Sequence, residues 1–235
     1  MKLSIIIPVY NEEKTISQIL YMIKKAKLPK GLQREIIVVD DGSSDLTSKI
    51  LEQQKASIKY LRHNNNMGKG AAIRTGLERA TGEIFIIQDA DLEYNPQDYQ
   101  RLIDPILEKK AKVVFGTRLK NYPLKFWGKN KTVLPTHLIA NRLLTTLTNI
   151  LYGSKLTDME TCYKVFTKEV ISNIVLKAHR FDFEPELTAK ILKKGIKIYE
   201  VPIVTHPRTY AQGKKIGIWD GLVAVWTLFK YRFIN

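Results

Sequence analysis

The chain has 235 residues, 44% of them hydrophobic, which is enough to bury the core of one large domain. A formal net charge of +15 favours an anionic partner: nucleic acid, a phospholipid surface or a phosphorylated small molecule. The lone Cys162 excludes an intramolecular disulfide and fits a reducing compartment. The sequence has no signal-peptide pattern and no run of about eighteen apolar residues, so we expect a cytoplasmic protein whose membrane contact is peripheral.

Short apolar runs alternate with longer amphipathic segments through the first half of the chain. The predicted strands cover 3–9, 35–39, 58–61, 83–87 and 113–115. The predicted helices begin near Glu12, pass through Ile50 and Leu51, and cover 71–80 and 96–109. Strict alternation of strand and helix predicts an α/β fold with a mostly parallel sheet between layers of helices. Such sheets bind their ligands at the carboxyl ends of the strands.

The second half of the chain is less regular. It contains a basic loop at about 119–135, a predicted helix over 138–151, a strand near 163–166, a helix over 186–193, a strand at 198–201 and a C-terminal helix from about Ile216. No linker rich in Gly or Pro, no internal repeat and no low-complexity tract divides the chain. We therefore predict a single domain, in which the second half completes a site built by the first.

Three carboxylates follow the strand that is predicted to end near Gln88. Asp89, Asp91 and Glu93 occupy alternate positions, which in an extended chain point to the same side. Like charges on one side repel unless a cation or protons neutralise them, and carboxylate oxygens suit Mg²⁺ or Mn²⁺. The alternative is a solvated acidic turn that leads into the next helix. The position at a strand's carboxyl end favours a metal site.

A second pair of carboxylates, Asp40 and Asp41, follows the predicted strand 35–39. Gly42 permits a tight turn there, and the carboxylates can accept hydrogen bonds from a base or from ribose hydroxyls. An equal alternative is that both residues only shape the turn between strand and helix.

The first strand ends in a third set of polar groups. Its last residues run from Pro8 through Tyr10 to Glu12, and the alternative is an ordinary helix N-terminus with favourable acids. Because parallel strands end at a common edge of the sheet, the three strand ends together predict one polar site.

A loop of small residues, 66–72, opens the predicted helix 71–80. Its backbone N–H groups and Lys69 can meet a phosphate group, although the glycine spacing is not that of a Walker loop. Arg118, which follows the fifth strand, is a second candidate phosphate ligand.

The sequence resembles the inverting family 2 glycosyltransferases of the GT-A fold. The matching segments are Pro-Val-Tyr-Asn-Glu at 8–12, Asp-Asp-Gly-Ser at 40–43, Gly-Lys-Gly at 68–70 and Asp-Ala-Asp at 89–91. Three later segments resemble the polyprenyl-phosphate hexose synthases, the group of the dolichyl-phosphate mannose and glucose synthases. They are Thr-Asp-Met-Glu-Thr-Cys-Tyr-Lys at 157–164, Phe-Glu-Pro-Glu at 183–186 and Glu-Val-Pro at 200–202.

This resemblance runs over nearly the whole chain and implies one GT-A catalytic domain over 1–235. Its expected parts are a nucleotide-sugar-binding half at 1–116, an acceptor-side half at 117–215 and a C-terminal amphipathic helix at 216–235. The implied activity is transfer of a hexose, with inversion, from GDP-mannose or UDP-glucose to a polyprenyl phosphate such as dolichyl or undecaprenyl phosphate. Many relatives continue into membrane helices, so a separate membrane partner is an expectation for this chain.

The resemblance also implies roles for individual residues. The divalent cation, Mg²⁺ or Mn²⁺, is expected on the donor diphosphate and is assigned to Asp89, Asp91 and Glu93. The residues expected to be catalytic are Asp89, Asp91, Arg118 and Asp158. The residues expected to bind substrate are Pro8, Tyr10, Glu12, Asp40, Asp41, Gly42, Lys69, Ala90, Arg142, Arg208 and Lys215.

A phosphate acceptor removes the need for a general base, because a phosphate monoester is already largely ionised near neutral pH. The protein must instead supply positive charge to hold two phosphate groups together. The stretch between Glu108 and Asp158 contains no acidic residue and supplies such charge. If the acceptor is a sugar hydroxyl in glycan synthesis, a carboxylate base is needed. The candidates are Asp158, Glu160, Asp182, Glu184 and Glu186.

The acid-free stretch interleaves its basic residues with Tyr122, Phe126 and Trp127, which favours contact with a membrane surface. At the C-terminus, apolar and aromatic residues recur at helical spacing with Lys230 and Arg232 near the end, as in a membrane-surface helix or a packing helix. A nucleic-acid-binding module would explain the charge alone. The sequence has no helix-turn-helix or RNA-binding aromatic motif, so we expect no nucleic-acid partner.

Overall fold

The computed structural model describes residues 1–119, 135–208 and 217–234. The strands are β1 (Lys2–Val9), β2 (Gln33–Asp40), β3 (Lys59–Arg62), β4 (Ile84–Ile87), β5 (Val113–Thr117), β6 (Lys164–Thr167) and β7 (Ile198–Pro202). The helices are α1 (Ile16–Lys25), α2 (Thr47–Glu52), α3 (Lys69–Arg79), α4 (Tyr99–Leu107), α5 (Pro135–Tyr152), α6 (Lys168–Ser172), α7 (Phe183–Lys193) and α8 (Ile218–Phe233). Apart from its first and last residues, the predicted basic loop lies outside the described residues, and so does Lys215.

The seven strands form one sheet in the order β3-β2-β1-β4-β6-β5-β7. All neighbouring strands are parallel except that β6 runs antiparallel to both β4 and β5. The predicted α/β fold with a mostly parallel sheet is therefore confirmed. Because β6 is reversed, the segment just before it, 157–163, lies at the edge where the parallel strands end. The reversal thus adds a further segment to the edge at which ligands were expected.

The core forms where the central strands meet the helices. Strand β1 is an unbroken apolar run from Ile5 to Ile7, buried on both faces, as expected for a central parallel strand. Helix α1 buries residues at the i, i+3, i+4, i+7 spacing of one helix face, namely Ile16, Ile19, Leu20 and Ile23. Each such side chain stabilises the fold by about 1.5–3 kcal/mol relative to an exposed position.

Several helix boundaries differ from the prediction by a few residues, and one helix was not predicted. Helix α1 begins at Ile16 and not near Glu12, because the carbonyl of Glu12 accepts hydrogen bonds from the N–H groups of Thr15 and Ile16 in a preceding turn. Helix α7 begins at Phe183, three residues early, with Pro185 in the first turn, where its missing N–H is tolerated. The short helix α6 was not predicted.

Helices α5 and α8 pack against each other and against α7, outside the main core. A small separate core joins them, built from Leu144, Met159, Ala189, Ala224 and Leu228. Among the described residues, no helix combines the length and the apolar character that crossing a membrane requires.

Candidate functional site

A cavity of about 840 Å³ opens at the carboxyl edge of the sheet. The predicted site residues that line it are Pro8, Tyr10, Glu12, Asp41, Lys69, Asp89, Ala90, Asp91, Glu93, Arg118 and Arg208. The ends of β1, β2 and β4 therefore do meet at one polar site.

The turn after β2 separates two neighbouring carboxylates that the sequence could not tell apart. Asp40 is fully buried and does not line the cavity; it accepts hydrogen bonds from Ser43 N (2.9 Å) and Tyr60 Oη (3.2 Å). Gly42 has φ +74°, and an added Cβ would lie 2.7 Å from the backbone of Asn65. The substrate contact predicted for Asp40 and Gly42 is therefore corrected: both shape the turn, and only Asp41 reaches the cavity.

Asp41 joins this turn to the loop before α3. Its carboxylate accepts hydrogen bonds from the backbone N–H groups of Met67 (2.9 Å) and Gly68 (2.7 Å) and contacts Nδ1 of His63 at 2.7 Å. The side chain is nearly buried but borders the cavity. Asp41 thus fixes the loop of small residues against the end of β2.

Five backbone N–H groups of that loop, those of residues 67, 68, 70, 71 and 72, are bonded within the protein and are therefore not available to a phosphate group. Gly70 N donates to the carbonyl of Arg180 (3.1 Å) and Ala71 N to the carbonyl of His179 (3.0 Å). Gly68 adopts φ +96°, and an added Cβ would collide with the carbonyl oxygen of His179. The glycines therefore permit close packing of two chain segments and do not form a phosphate cradle.

Lys69 links two acidic residues at the floor of the cavity. Its Nζ lies 2.9 Å from Oδ1 of Asp89 and 2.8 Å from Oε1 of Glu184. Burial lowers the pKa of Lys69, and the two carboxylates raise it by more, so the ammonium stays charged. The pKa of Asp89 is raised by burial and lowered by more by Lys69. The floor of the cavity thus holds a bonded cluster of one positive and two negative side chains.

Arg208 forms a second cluster of charges just beyond the carboxyl end of β4. Its guanidinium lies 2.9 Å from Oδ2 of Asp91, 3.2 Å from both carboxylate oxygens of Glu12 and 3.8 Å from Oε1 of Glu93. The Arg208 backbone N–H also donates to Oε1 of Glu93 at 3.1 Å. One arginine thus sits among three carboxylates that come from two different strand ends.

The metal site predicted from Asp89, Asp91 and Glu93 is not formed as expected. Strand β4 ends at Ile87, and Leu92 adopts φ +64°, so the three carboxylates do not follow the alternation of an extended strand. Within the described ranges, no group of three or more His, Cys, Asp or Glu side chains is placed to hold one metal ion. Glu93 instead anchors the backbone of Arg208, so the three-carboxylate ligand set is corrected.

Asp89 and Asp91 nevertheless suit a divalent cation. Burial, followed by the charges of Asp89 and Glu93, raises the pKa of Asp91 to about 6, although Arg208 opposes this shift. A carboxylate whose negative charge is disfavoured gains from an added cation, and Mg²⁺ commonly uses one or two carboxylates together with substrate phosphates and water.

Arg118 is held by Asp158 at the opposite side of the cavity. Its Nε donates to Oδ2 of Asp158 at 2.7 Å, its Nη2 to Oδ1 at 2.8 Å, and its backbone N–H to Oδ2 at 2.9 Å. Asp158 is fully buried and does not line the cavity. Of the catalytic or positioning role predicted for Asp158, this geometry favours positioning of Arg118, because both of its carboxylate oxygens are already bound.

One further prediction concerns a basic residue on α5. Arg142 is exposed and does not line the cavity. Several cavity residues were not predicted to bind substrate, among them Tyr94, Arg180 and Glu184. The acidic Phe-Glu-Pro-Glu segment at the start of α7 could have indicated Glu184. No local motif indicates Tyr94 or Arg180, which reach the cavity only through the packing of the assembled fold.

The fold and the site define a glycosyltransferase of the GT-A fold. The model of the family described as "Glycosyl transferase family 2" matches residues 4–175, and the chain belongs to this family. The Methanococcus voltae UDP-N-acetylglucosamine–dolichyl-phosphate N-acetylglucosaminyltransferase is 29% identical over 92% of this chain and 90% of its own length. The Pyrococcus furiosus dolichol-phosphate mannosyltransferase is 28% identical over 98% of this chain and 64% of its own length.

A solved structure supports the same fold. Glucosyl-3-phosphoglycerate synthase from Mycobacterium tuberculosis, crystallised with Mn²⁺, uridine diphosphate and glucosyl-3-phosphoglycerate, matches with a TM-score of 0.74 and 20% identity. The match covers 100% of this chain and 81% of the mycobacterial chain. The predicted GT-A fold is therefore confirmed.

Proposed function

We propose that this protein transfers a hexose from a nucleoside diphosphate sugar to a polyprenyl phosphate at a membrane surface. One observation carries the proposal: the polar site at the sheet edge and an apolar groove between α5 and α8 belong to the same cavity. The groove is lined by Ala140, Leu143 and Leu144 on α5 and by Leu222, Ala224 and Val225 on α8. Such a cavity suits an acceptor that has an anionic head and a hydrocarbon tail.

The charges of the cavity fit this reaction. Arg118 lies on the cavity wall together with α5, so its guanidinium is in position to hold the acceptor phosphate. The phosphate monoester attacks the anomeric carbon without a general base, since its second pKa is about 6. The carboxylates Asp158 and Glu184 are each bound to a basic side chain, which disfavours either as a base.

The relatives support the class of acceptor and leave the sugar open. The two dolichyl-phosphate enzymes are named for different sugars, N-acetylglucosamine and mannose, although each is similar to nearly the whole of this chain. We propose that Asp89 and Asp91 hold Mg²⁺ or Mn²⁺, which would offset the charge that grows on the departing nucleoside diphosphate. The Mn²⁺ crystallised with the mycobacterial synthase supports a divalent cation.

A transfer assay tests the proposal. Radiolabelled UDP-glucose, UDP-N-acetylglucosamine and GDP-mannose are each incubated with the protein, Mg²⁺ or Mn²⁺, and a short-chain polyprenyl phosphate. We expect a lipid-linked product from one donor, and we expect EDTA to abolish it. Donor hydrolysis without a lipid product would instead favour the alternative, a sugar-hydroxyl acceptor with a carboxylate base. A product that forms equally with EDTA would contradict the metal assignment.

We further propose that α8 rests on the membrane surface. Trp219 and Trp226 are 79% and 65% exposed, and Lys230 and Arg232 lie in the last turn of the same helix. Exposed tryptophans beside basic residues suit the headgroup region of an anionic bilayer. The helix also forms one wall of the apolar groove, so this placement would bring a membrane-embedded acceptor to the cavity.

Vesicle sedimentation tests this placement. The double variant Trp219→Ala and Trp226→Ala should bind vesicles of anionic phospholipid at least about tenfold more weakly, because two large apolar side chains no longer enter the interface. Tyr21→Ala, which removes an aromatic ring with 63% exposure on α1, serves as the control and should leave binding unchanged. Equal binding of the double variant and the wild type would exclude α8 as the membrane contact.

A further inference from the structure

Glu160 is a partly buried carboxylate on the cavity wall that the mechanism above does not use. It lines the cavity, yet its Oε1 atom is inaccessible to solvent and has no hydrogen-bond partner in the part of the chain that the structure describes. Leaving a buried carboxylate oxygen without a donor costs free energy, because the lost hydration is not replaced. Because Oε1 is inaccessible, a ligand in the cavity would donate to the other carboxylate oxygen, Oε2, or to Oε1 after the side chain rotates.

The surrounding residues hold Glu160 in place without binding its carboxylate. The ammonium of the fully buried Lys164 donates to the carbonyls of Met159 (2.9 Å) and Thr161, the two residues that flank Glu160. Asp158, two residues before Glu160, is fixed by Arg118 and by its own backbone N–H, which donates to Oε1 of Glu200 at 3.1 Å. The backbone around Glu160 is therefore anchored on both sides, and the side chain is presented to the cavity in a defined position.

The charges around Glu160 decide what kind of group it can contact. Burial, and then the nearby charge of Glu184, raises the pKa of Glu160 to about 7. A phosphate group placed against two buried carboxylates would be repelled, whereas a neutral hydroxyl donates a hydrogen bond without adding charge. The basic groups Lys164 and Arg118 lie near this pair and oppose the rise in pKa. Each is already bonded within the protein, Lys164 to two backbone carbonyls and Arg118 to Asp158.

We infer that Glu160 accepts a hydrogen bond from a hydroxyl group of the donor's neutral hexose and thereby fixes the sugar in the cavity. This inference rests on the proposed function, because it takes the donor to be a nucleoside diphosphate hexose. It assigns to Glu160 a contact with the sugar and to the basic residues the contacts with phosphate. Glu160 then contributes to binding of the sugar but not to binding of the nucleoside diphosphate alone.

Calorimetric titration in the presence of Mg²⁺ separates these contributions. The probes are UDP-glucose, UDP-N-acetylglucosamine and GDP-mannose, each compared with UDP or GDP alone. For the sugar nucleotide that the wild type binds, Glu160→Ala should weaken binding about 10- to 100-fold, the range for a lost hydrogen bond to a charged group. Glu160→Gln, which keeps one acceptor oxygen and the shape of the side chain, should give a smaller loss. The affinity for UDP or GDP alone should change less than twofold.

The control is Glu169→Gln, the same change at an exposed glutamate on α6 that pairs with Lys112, and it should alter neither affinity. Thermal unfolding of each variant identifies any that does not fold. If Glu160→Ala does not fold, the conservative Glu160→Gln is used for the comparison. An unchanged affinity for the sugar nucleotide, or an equal loss for the sugar nucleotide and the nucleoside diphosphate, would overturn the inference. So would a loss confined to kcat together with loss of the acidic limb of the pH–rate profile, which indicates a general base.

The inference and the proposed function fail in different ways. If the wild type forms a lipid-linked product but Glu160→Ala binds the sugar nucleotide normally, only the role of Glu160 is wrong. If the wild type binds none of the three sugar nucleotides, both the proposed function and the inference are wrong.

Discussion

Replacement of Asp91 by Asn should reduce transfer by about 100- to 1,000-fold, the range found when one group that stabilises developing charge is removed. Asp91 borders the cavity, is the closest carboxylate to the Arg208 guanidinium, and is proposed to hold the divalent cation together with Asp89. Asn keeps the shape of the side chain and removes its charge. The rate with saturating donor and Mg²⁺, measured in the lipid-transfer assay, gives the result directly.

The same variant should not lose stability. Burial and the neighbouring carboxylates raise the pKa of Asp91 to about 6, so above that pH the folded state holds a negative charge that it disfavours. A carboxyl group with a raised pKa lowers stability as the pH rises towards 6, and a neutral Asn removes this loss. Urea unfolding in EDTA at about pH 7.5, which is above that pKa, should therefore show that Asp91→Asn is at least as stable as the wild type.

Asp104→Asn is the matched control, because Asp104 lies on α4, away from the cavity, and should leave the transfer rate unchanged. A wild-type rate for Asp91→Asn would exclude Asp91 from the proposed metal site. A large loss of stability would show that its contact with Arg208 serves the fold.

The strand and helix pattern of the first half was predictable because each element carries its own periodicity. The apolar run of β1 and the spacing of Ile16, Ile19 and Ile23 in α1 are local signals that packing preserves. The direction of β6 has no such signal. Strand β6 has only four residues, and its sequence is compatible with either parallel or antiparallel pairing. Its reversal brings 157–163 to the site, which sequence periodicity could not indicate.

The location of the site was likewise predictable from the strand ends, but the pairing of its charges was not. Arg208 contacts Glu12, 196 residues away in sequence, and Lys69 contacts Glu184, 115 residues away. Such pairs depend on the assembled fold, not on any local motif. The alternation assumed for Asp91 and Glu93 failed for a local reason, the left-handed backbone of Leu92 between them, a conformation that few non-glycine residues adopt.

Replacement of Asp158 by Ala should lower the free energy of unfolding by about 3–5 kcal/mol, the range for breaking one side of a buried ion pair. Asp158 is fully buried and accepts two side-chain hydrogen bonds from Arg118, whose side chain is 18% exposed. Its removal leaves a guanidinium without its counter-charge in a desolvated position. Urea denaturation monitored by circular dichroism measures the change.

A second Asp–Arg pair supplies the control for this effect. Asp98 contacts Arg101 at 3.2 Å, but the arginine is 55% exposed, so Asp98→Ala should cost at most about 1 kcal/mol. An equally small loss for Asp158→Ala would contradict the positioning role.

The double replacement Asp158→Leu with Arg118→Met should regain part of the lost stability, because no buried charge is left unpaired. The double variant should still not transfer sugar, since under the proposed function the cavity lacks the cation that holds the acceptor phosphate. Recovery of stability without recovery of transfer would therefore separate the structural role of Asp158 from the functional role of Arg118.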